Sequence, residues 1–299
     1  MSPEFAAGLF LVLVVAAPMI ALGVAVARSR LTALQCILWA CAYLLCKFLW
    51  RTRWLNELPL AAGQGGVIVC NHHSSVDPFF VQTATGRKIH WMVAREYFQH
   101  LAFGWFLSAC EAIPAGRGGI DTAATKAAIR LAASGELMGM LPEGRINMSE
   151  DFLLPARPGA ALVARKAGVP IVPCYIEGAP YRRYVWSPLR MRARVTVRFG
   201  EPMYPPTAPD ANGDEPSAES FTLDVLKAIA KLAGRSDFQP RLAGRNWKPT
   251  QDELNAAMDA KERRDQAEKL AGPNGKNHGA AVEGQLIQAR SASEGLGRV

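Results

Sequence analysis

The residues most able to do chemistry lie in one short run, Asn71-His72-His73-Ser74-Ser75-Val76-Asp77-Pro78. His72 and Asp77 are separated by four residues, close enough to meet across a tight turn that leads into a helix. A carboxylate there takes the proton of one imidazole nitrogen, sets the tautomer and leaves the other nitrogen free as a base. It also stabilises the imidazolium that forms when the base takes a proton. Asp77 or Ser75 is equally placed to cap a helix starting near Pro78, since proline suits the first helical position. The capping and catalytic roles do not exclude one another. His73 lies beside His72 and is a second imidazole in the same run.

Such a turn needs a strand to hold it. Gly66 to Cys70 (GVIVC) reads as a buried strand that runs straight into Asn71, and in an α/β sheet ligands gather beyond the C-terminal ends of strands. Further strands are predicted at 89–93, 137–141, 169–176 and 194–199. The two prolines within 169–176 suggest an edge strand or a bulge. Helices are predicted at 121–133, where Asp121 and Thr122 are capping candidates, at 156–167, stopped by Gly168, and at 217–233. Strands interleaved with helices predict an α/β domain whose mixed, mostly parallel sheet is flanked by helices.

The amino-terminal region differs in kind. Residues 5–27 carry no charge, about the length that crosses a bilayer core as a helix. Arg28 and Arg30 follow, then a second apolar run, 31–50, broken by Gln35 and Lys47 and closed by Arg51, Arg53 and Trp54. Basic and aromatic flanks suit a membrane interface. A signal peptide fits less well, because the positive charges come after the apolar run. The second run reads as a helix that spans or lies in the interface, with a buried core helix as the other reading. The expected organisation is N-terminal membrane-anchoring helices over 1–54, a catalytic domain over 55–240, and a charged, partly disordered tail over 241–299, within which 252–270 could be a solvated helix.

Composition narrows the field. The 299 residues are 49% hydrophobic, and Lys and Arg exceed Asp and Glu by eight. Beside a membrane segment, that excess favours an anionic membrane surface as partner. The basic residues are scattered with no nucleic-acid motif, so nucleic acid is not expected. The six cysteines form no C-x-x-C pair and read as small apolar fillers, with no metal site or cofactor implied. A serine hydrolase needs a G-x-S-x-G elbow, which is absent, and there is no Walker A loop.

Four blocks in order make a family recognisable. Asn71-His72-x-x-x-x-Asp77 resembles the first signature block of the glycerolipid acyltransferase family, which contains bacterial 1-acylglycerol-3-phosphate acyltransferases. Ala112 to Arg117 (AIPAGR) resembles the second, Leu141 to Arg145 (LPEGR) the third and Val169 to Pro173 (VPIVP) the fourth. The resemblance covers about residues 60–205. It implies His72 as base, Asp77 as its orienting partner, and Asn71, Arg117, Glu143, Gly144 and Arg145 as substrate-binding. Arg117, between glycines, can fork onto phosphate oxygens. Glu143 cannot hold phosphate; it accepts hydrogen bonds from an acceptor hydroxyl, holds a loop, or pairs with Arg145 or Arg117. Arg145 stands where the family often has Thr, which blurs the acceptor.

The implied reaction moves a fatty acyl group from acyl-CoA or acyl carrier protein to a lysophospholipid hydroxyl, first of all that of 1-acylglycerol-3-phosphate. It needs no acyl-enzyme, and backbone N–H groups near Asp77 would steady the oxyanion. Another lysolipid acceptor and a non-catalytic membrane adaptor remain as alternatives; the adaptor would be expected to lose His72, Asp77 or Glu143. The expected location is the cytoplasmic membrane, with the catalytic domain facing the cytoplasm.

Overall fold

A computed structural model describes residues 2–5, 20, 23–24, 26–27, 29, 31–116, 121–207, 217–244, 255–256, 258–260 and 263. The chain divides into two compact units, Met1–Lys248 and Pro249–Val299. The described residues of the second unit are helical. The rest of the predicted 252–270 helix and the tail beyond it lie outside the described residues.

The first described long element is helix α1 (Ala33–Leu44), continued by a π-helical turn over Leu45–Leu49. Thr32 and Gln35 close its N-terminus reciprocally: Gln35 N–H donates to Thr32 Oγ1, and Thr32 N–H donates to Gln35 Oε1. With the π-helical turn, residues 33–49 rise about 25 Å, against about 30 Å for a bilayer core. No described helix is long and apolar enough to cross a membrane. Most of the first run, 5–27, lies outside the described residues.

Seven strands form one sheet: β1 (Arg53–Trp54), β2 (Gly66–Cys70), β3 (Ile89–Ala94), β4 (Ile113–Ala115), β5 (Leu137–Met140), β6 (Ile171–Glu177) and β7 (Thr196–Phe199). Their order is β1-β7-β6-β2-β5-β3-β4. β6, β2, β5, β3 and β4 are mutually parallel; β7 is antiparallel to β6, and β1 is parallel to β7. The mixed, mostly parallel sheet is as expected. All five residues of β2 are buried, because helices cover both faces of a parallel sheet.

Alternation divides the core in two. On one face Val67, Val69, Met138 and Ile171 pack against α4 (Thr122–Ala133), α5 (Gly159–Ala167) and α6 (Ala218–Leu232). On the other, Ile68, Cys70, Leu137 and Val172 pack against Trp50 and against Phe80 and Val81 of α2 (Asp77–Ala84). The predicted caps form: Asp121 accepts from Ala124 N–H, and Gly168 ends α5 in the left-handed conformation at φ 68°. Two short strands, β1 and β4, and helix α3 (Leu101–Ala109) were not legible as elements.

The proline-bearing strand β6 is interior, not an edge. Pro173 falls in a gap on the β7 side. There Ile171 exchanges two main-chain bonds with Met203, and the ladder with β7 resumes only at Cys174. The Pro173 carbonyl still accepts from Gly200 N–H at 2.7 Å, so only its missing donor goes unused.

Candidate functional site

Because β2, β4, β5 and β6 are parallel, their C-terminal ends share one edge of the sheet. The first block leaves β2, the second leaves β4 and the third leaves β5. The fourth block leads into β6 itself and supplies the strand against which β2 is registered, with Val67 opposite Ile171 and Val69 opposite Pro173.

The turn after β2 is clamped on all sides. Asn71 is fully buried; its Nδ2 donates to the Ile176 carbonyl and its Oδ1 accepts from Ile176 N–H, both at 2.8 Å. Its amide extends the ladder between β2 and β6. His72 N–H donates to Glu143 Oε1 at 2.7 Å, and the His72 carbonyl accepts from Asn147 N–H at 2.6 Å.

His72 Nδ1 lies 3.0 Å from Asp77 Oδ2. The same oxygen accepts from the N–H groups of His73 and Ser74, each at 2.8 Å. Asp77 is fully buried, whereas the His72 side chain keeps 14% exposure. Nε2 has no hydrogen-bond partner among the described residues. Asp77 is not the cap of its helix. Val76 takes that position without a side-chain bond, Asp77 is the first helical residue and Pro78 the second. The carboxylate bends back over the turn, where the positive end of the helix also favours it.

Most N–H groups of this turn are already used. Those of His73 and Ser74 go to Asp77, that of Asp77 to the Ser74 carbonyl, that of Val76 to Ser74 Oγ and that of Phe79 to the Val76 carbonyl. Pro78 has none. In this conformation most of the turn's donors hold the turn itself and fix the His72 ring against Asp77.

Glu143 is almost wholly buried at 1% exposure, and Oε2 accepts from Leu154 N–H at 2.8 Å. Burial pushes its pKa up to about 8; the N–H bonds from Leu154 and His72 pull the other way, and the negative charge of Asp77 adds to the rise. Of its open roles, the geometry matches loop-holding: it ties the His72 turn to the Leu154 segment. Gly144 turns the chain at φ 67°, a left-handed conformation that suits glycine, and Arg145 is half-buried beside it. Arg117 lies outside the described residues. Its neighbour Gly116 donates to Asp121 Oδ2 at 2.9 Å, and Arg95 pairs with the same oxygen at 2.6 Å.

Several positioning residues escaped sequence reasoning. Asn147 is buried, and its Oδ1 accepts from Ser149 N–H and Oγ, an Asx turn that the Asn-x-Ser spacing could have signalled. Ser74 Oγ donates to the Pro180 carbonyl at 2.6 Å and Ser75 Oγ to the Val185 carbonyl at 2.7 Å. Nothing local in the sequence points to these partners more than a hundred residues away.

A family model for acyltransferases matches residues 52–177. The chain is 30% identical over 150 residues to a Bacillus subtilis protein named 1-acyl-sn-glycerol-3-phosphate acyltransferase, a stretch that is 50% of this chain and 72% of that one. The chain belongs to the acyltransferase family. A Streptococcus pneumoniae protein of the same name is 30% identical to this acyltransferase over 139 residues, 46% of this chain and 49% of the other. The crystal structure of the 1-acyl-sn-glycerophosphate (LPA) acyltransferase from Thermotoga maritima aligns with a TM-score of 0.47 at 18% identity, over 66% of this chain and 74% of that one.

Proposed function

We propose that this acyltransferase moves a fatty acyl group from acyl-CoA or acyl carrier protein to the free hydroxyl of 1-acylglycerol-3-phosphate, giving phosphatidic acid. The observation that carries the reading is the His72 Nδ1–Asp77 Oδ2 contact at 3.0 Å, with Nε2 left open. His72 Nε2 takes the acceptor hydroxyl proton as that oxygen attacks the thioester carbonyl. The tetrahedral intermediate collapses, the C–S bond breaks and the thiolate recovers the proton from the imidazolium. The buried Asp77 holds the ring and balances its transient charge. The names carried by the two relatives support the acceptor. Arg117 and Arg145 are the proposed phosphate contacts.

The same reading sets the enzyme on the cytoplasmic membrane, its catalytic unit facing the cytoplasm and an anionic lipid surface. Exposed Leu34, Ile37 and Leu44 support it by giving α1 an apolar outer stripe, which Phe48 extends.

The test is release of free thiol from a long-chain acyl-CoA by the purified protein, with and without 1-acylglycerol-3-phosphate, and identification of the lipid product. Acceptor-dependent release is expected. No release with this acceptor but release with another lysolipid moves the acceptor assignment. Silence with every lysolipid and both donor classes defeats the reading.

A further inference from the structure

The geometry points to a membrane-docking surface on the catalytic unit itself, formed by α3 and the loop 179–192, that seats the site on an anionic lipid interface. The inference deepens the lipid-acceptor reading and rests on it for the orientation of the site.

Helix α3 carries no charged residue. Leu101 and Trp105, four residues apart and so on one face, are 96% and 58% exposed. Water is a poor neighbour for two such side chains, whereas an indole suits the headgroup level of a bilayer. Across from them, Phe103 stacks on Trp186 with ring centroids 4.3 Å apart, which joins the helix to the loop. That loop exposes Tyr184, Trp186 and Leu189. Between Gly178 and Val195 the sequence has five arginines (Arg182, Arg183, Arg190, Arg192 and Arg194) and no acidic residue. Aromatic and aliphatic side chains among arginines match an anionic interface in both polarity and charge. A nine-residue helix is too short to cross a bilayer, so it lies in the interface.

The loop is also bonded to the turn that carries the base. Ser74 and Ser75 hold the Pro180 and Val185 carbonyls, and Trp50 Nε1 donates to the Pro188 carbonyl at 3.0 Å. Docking this surface therefore brings the His72 turn to the lipid headgroups, where a lysophospholipid presents its hydroxyl.

Two measurements test it on the full chain. In the first, a polarity-sensitive fluorophore is attached at Leu101→Cys after replacing Cys41 and Cys110 with Ser; the other cysteines are buried. Vesicles of phosphatidylcholine with about a third phosphatidylglycerol, carrying spin-labelled lipid, should blue-shift and quench it. A label at Lys126→Cys on α4 should stay unchanged. No quenching at position 101 while the protein floats with the vesicles overturns the proposal, whatever the enzyme's activity.

In the second, Leu101→Ser/Trp105→Ser is assayed with limiting vesicle lipid and with a short-chain, water-soluble acceptor. A loss of about tenfold or more on vesicles alone is expected. Equal loss on both acceptors, or none on either, overturns it. Inactivity of the unmodified protein on both acceptors strikes the acyl-transfer reading instead, and the fluorophore result then stands by itself.

Discussion

Asp77 receives three hydrogen bonds on Oδ2, while the buried Oδ1 has no partner among the described residues. All of its bonding thus goes into shaping the turn and fixing one imidazole nitrogen. His72→Ala should lower acyl transfer by about 10²- to 10⁴-fold, the usual worth of a general base, read as acceptor-dependent thiol release. Asp77→Asn sets an amide against two main-chain donors. It should cut kcat at least about a hundredfold by losing the tautomer, with the acceptor KM little changed. A large KM rise with kcat intact would instead make Asp77 a binding residue.

Glu143 gives a pH signature. Below its ordinary pKa of 4.5 both folded and unfolded chains hold the proton, and its contribution to stability is full. As pH rises from there to about 8, the unfolded chain releases a proton that the folded chain keeps. Stability therefore falls through that window by up to about 1.4 kcal/mol per pH unit. Glu143→Gln should be less stable at low pH, because one N–H loses its acceptor, but its melting temperature should fall less between pH 4.5 and 8. Parallel curves for the two proteins would show that Glu143 is ionised when folded.

At the scale of elements, the C-terminal end of β2 matters because His72, the proposed base, follows it directly. Its placement is fixed by Asn71 reaching across to both main-chain groups of Ile176. Asn71→Ala leaves those groups buried and unpaired, at a cost of about 1–3 kcal/mol. Activity should fall with stability, and binding of the acyl donor should suffer less than turnover, since the displaced group is the proposed base. α1 belongs to this scale too. Gln35, a polar break in an apolar run, donates to the Ala109 carbonyl and to Glu111 Oε1, both at 2.9 Å, and so docks α1 on the end of α3. An apolar residue at 35 would suit a lipid environment better; the glutamine is explained by the acceptors it meets.

For the whole molecule, the useful boundary lies near residue 248. Ala156 N–H donates to the Arg241 carbonyl at 2.9 Å, its carbonyl accepts from Ala243 N–H at 2.8 Å, and Arg241 pairs with Asp151. The segment just past 240 is thus bonded to the chain that follows the third block. Truncation after Lys248 should leave thiol release within about twofold and the melting temperature nearly unchanged. Truncation after Pro240 should lower the melting temperature by several degrees, on the scale of about 1 kcal/mol for each lost bond. Equal behaviour of the two truncations would mean that the bonds at Ala156 contribute nothing.

The sequence by itself determined the α/β class, the strand leading into His72, most helices and the contact of His72 with Asp77. Each of these is encoded locally, in apolar runs, in caps such as Asp121 and Gly168, and in a five-residue separation that a turn can close. It could not show that Asn71 and Glu143 spend their polar atoms on the backbone, that Ser74 and Ser75 hold the loop at 180–185, or that β6 is interior despite its prolines. Apart from the Leu154 bond to Glu143, those outcomes depend on partners 71 to 110 residues away for the side chains, and on a gap in the β7 ladder for the strand. A hydrogen bond is decided by which acceptor the folded chain brings within about 3 Å, and sequence spacing carries that information only when donor and acceptor are near neighbours along the chain.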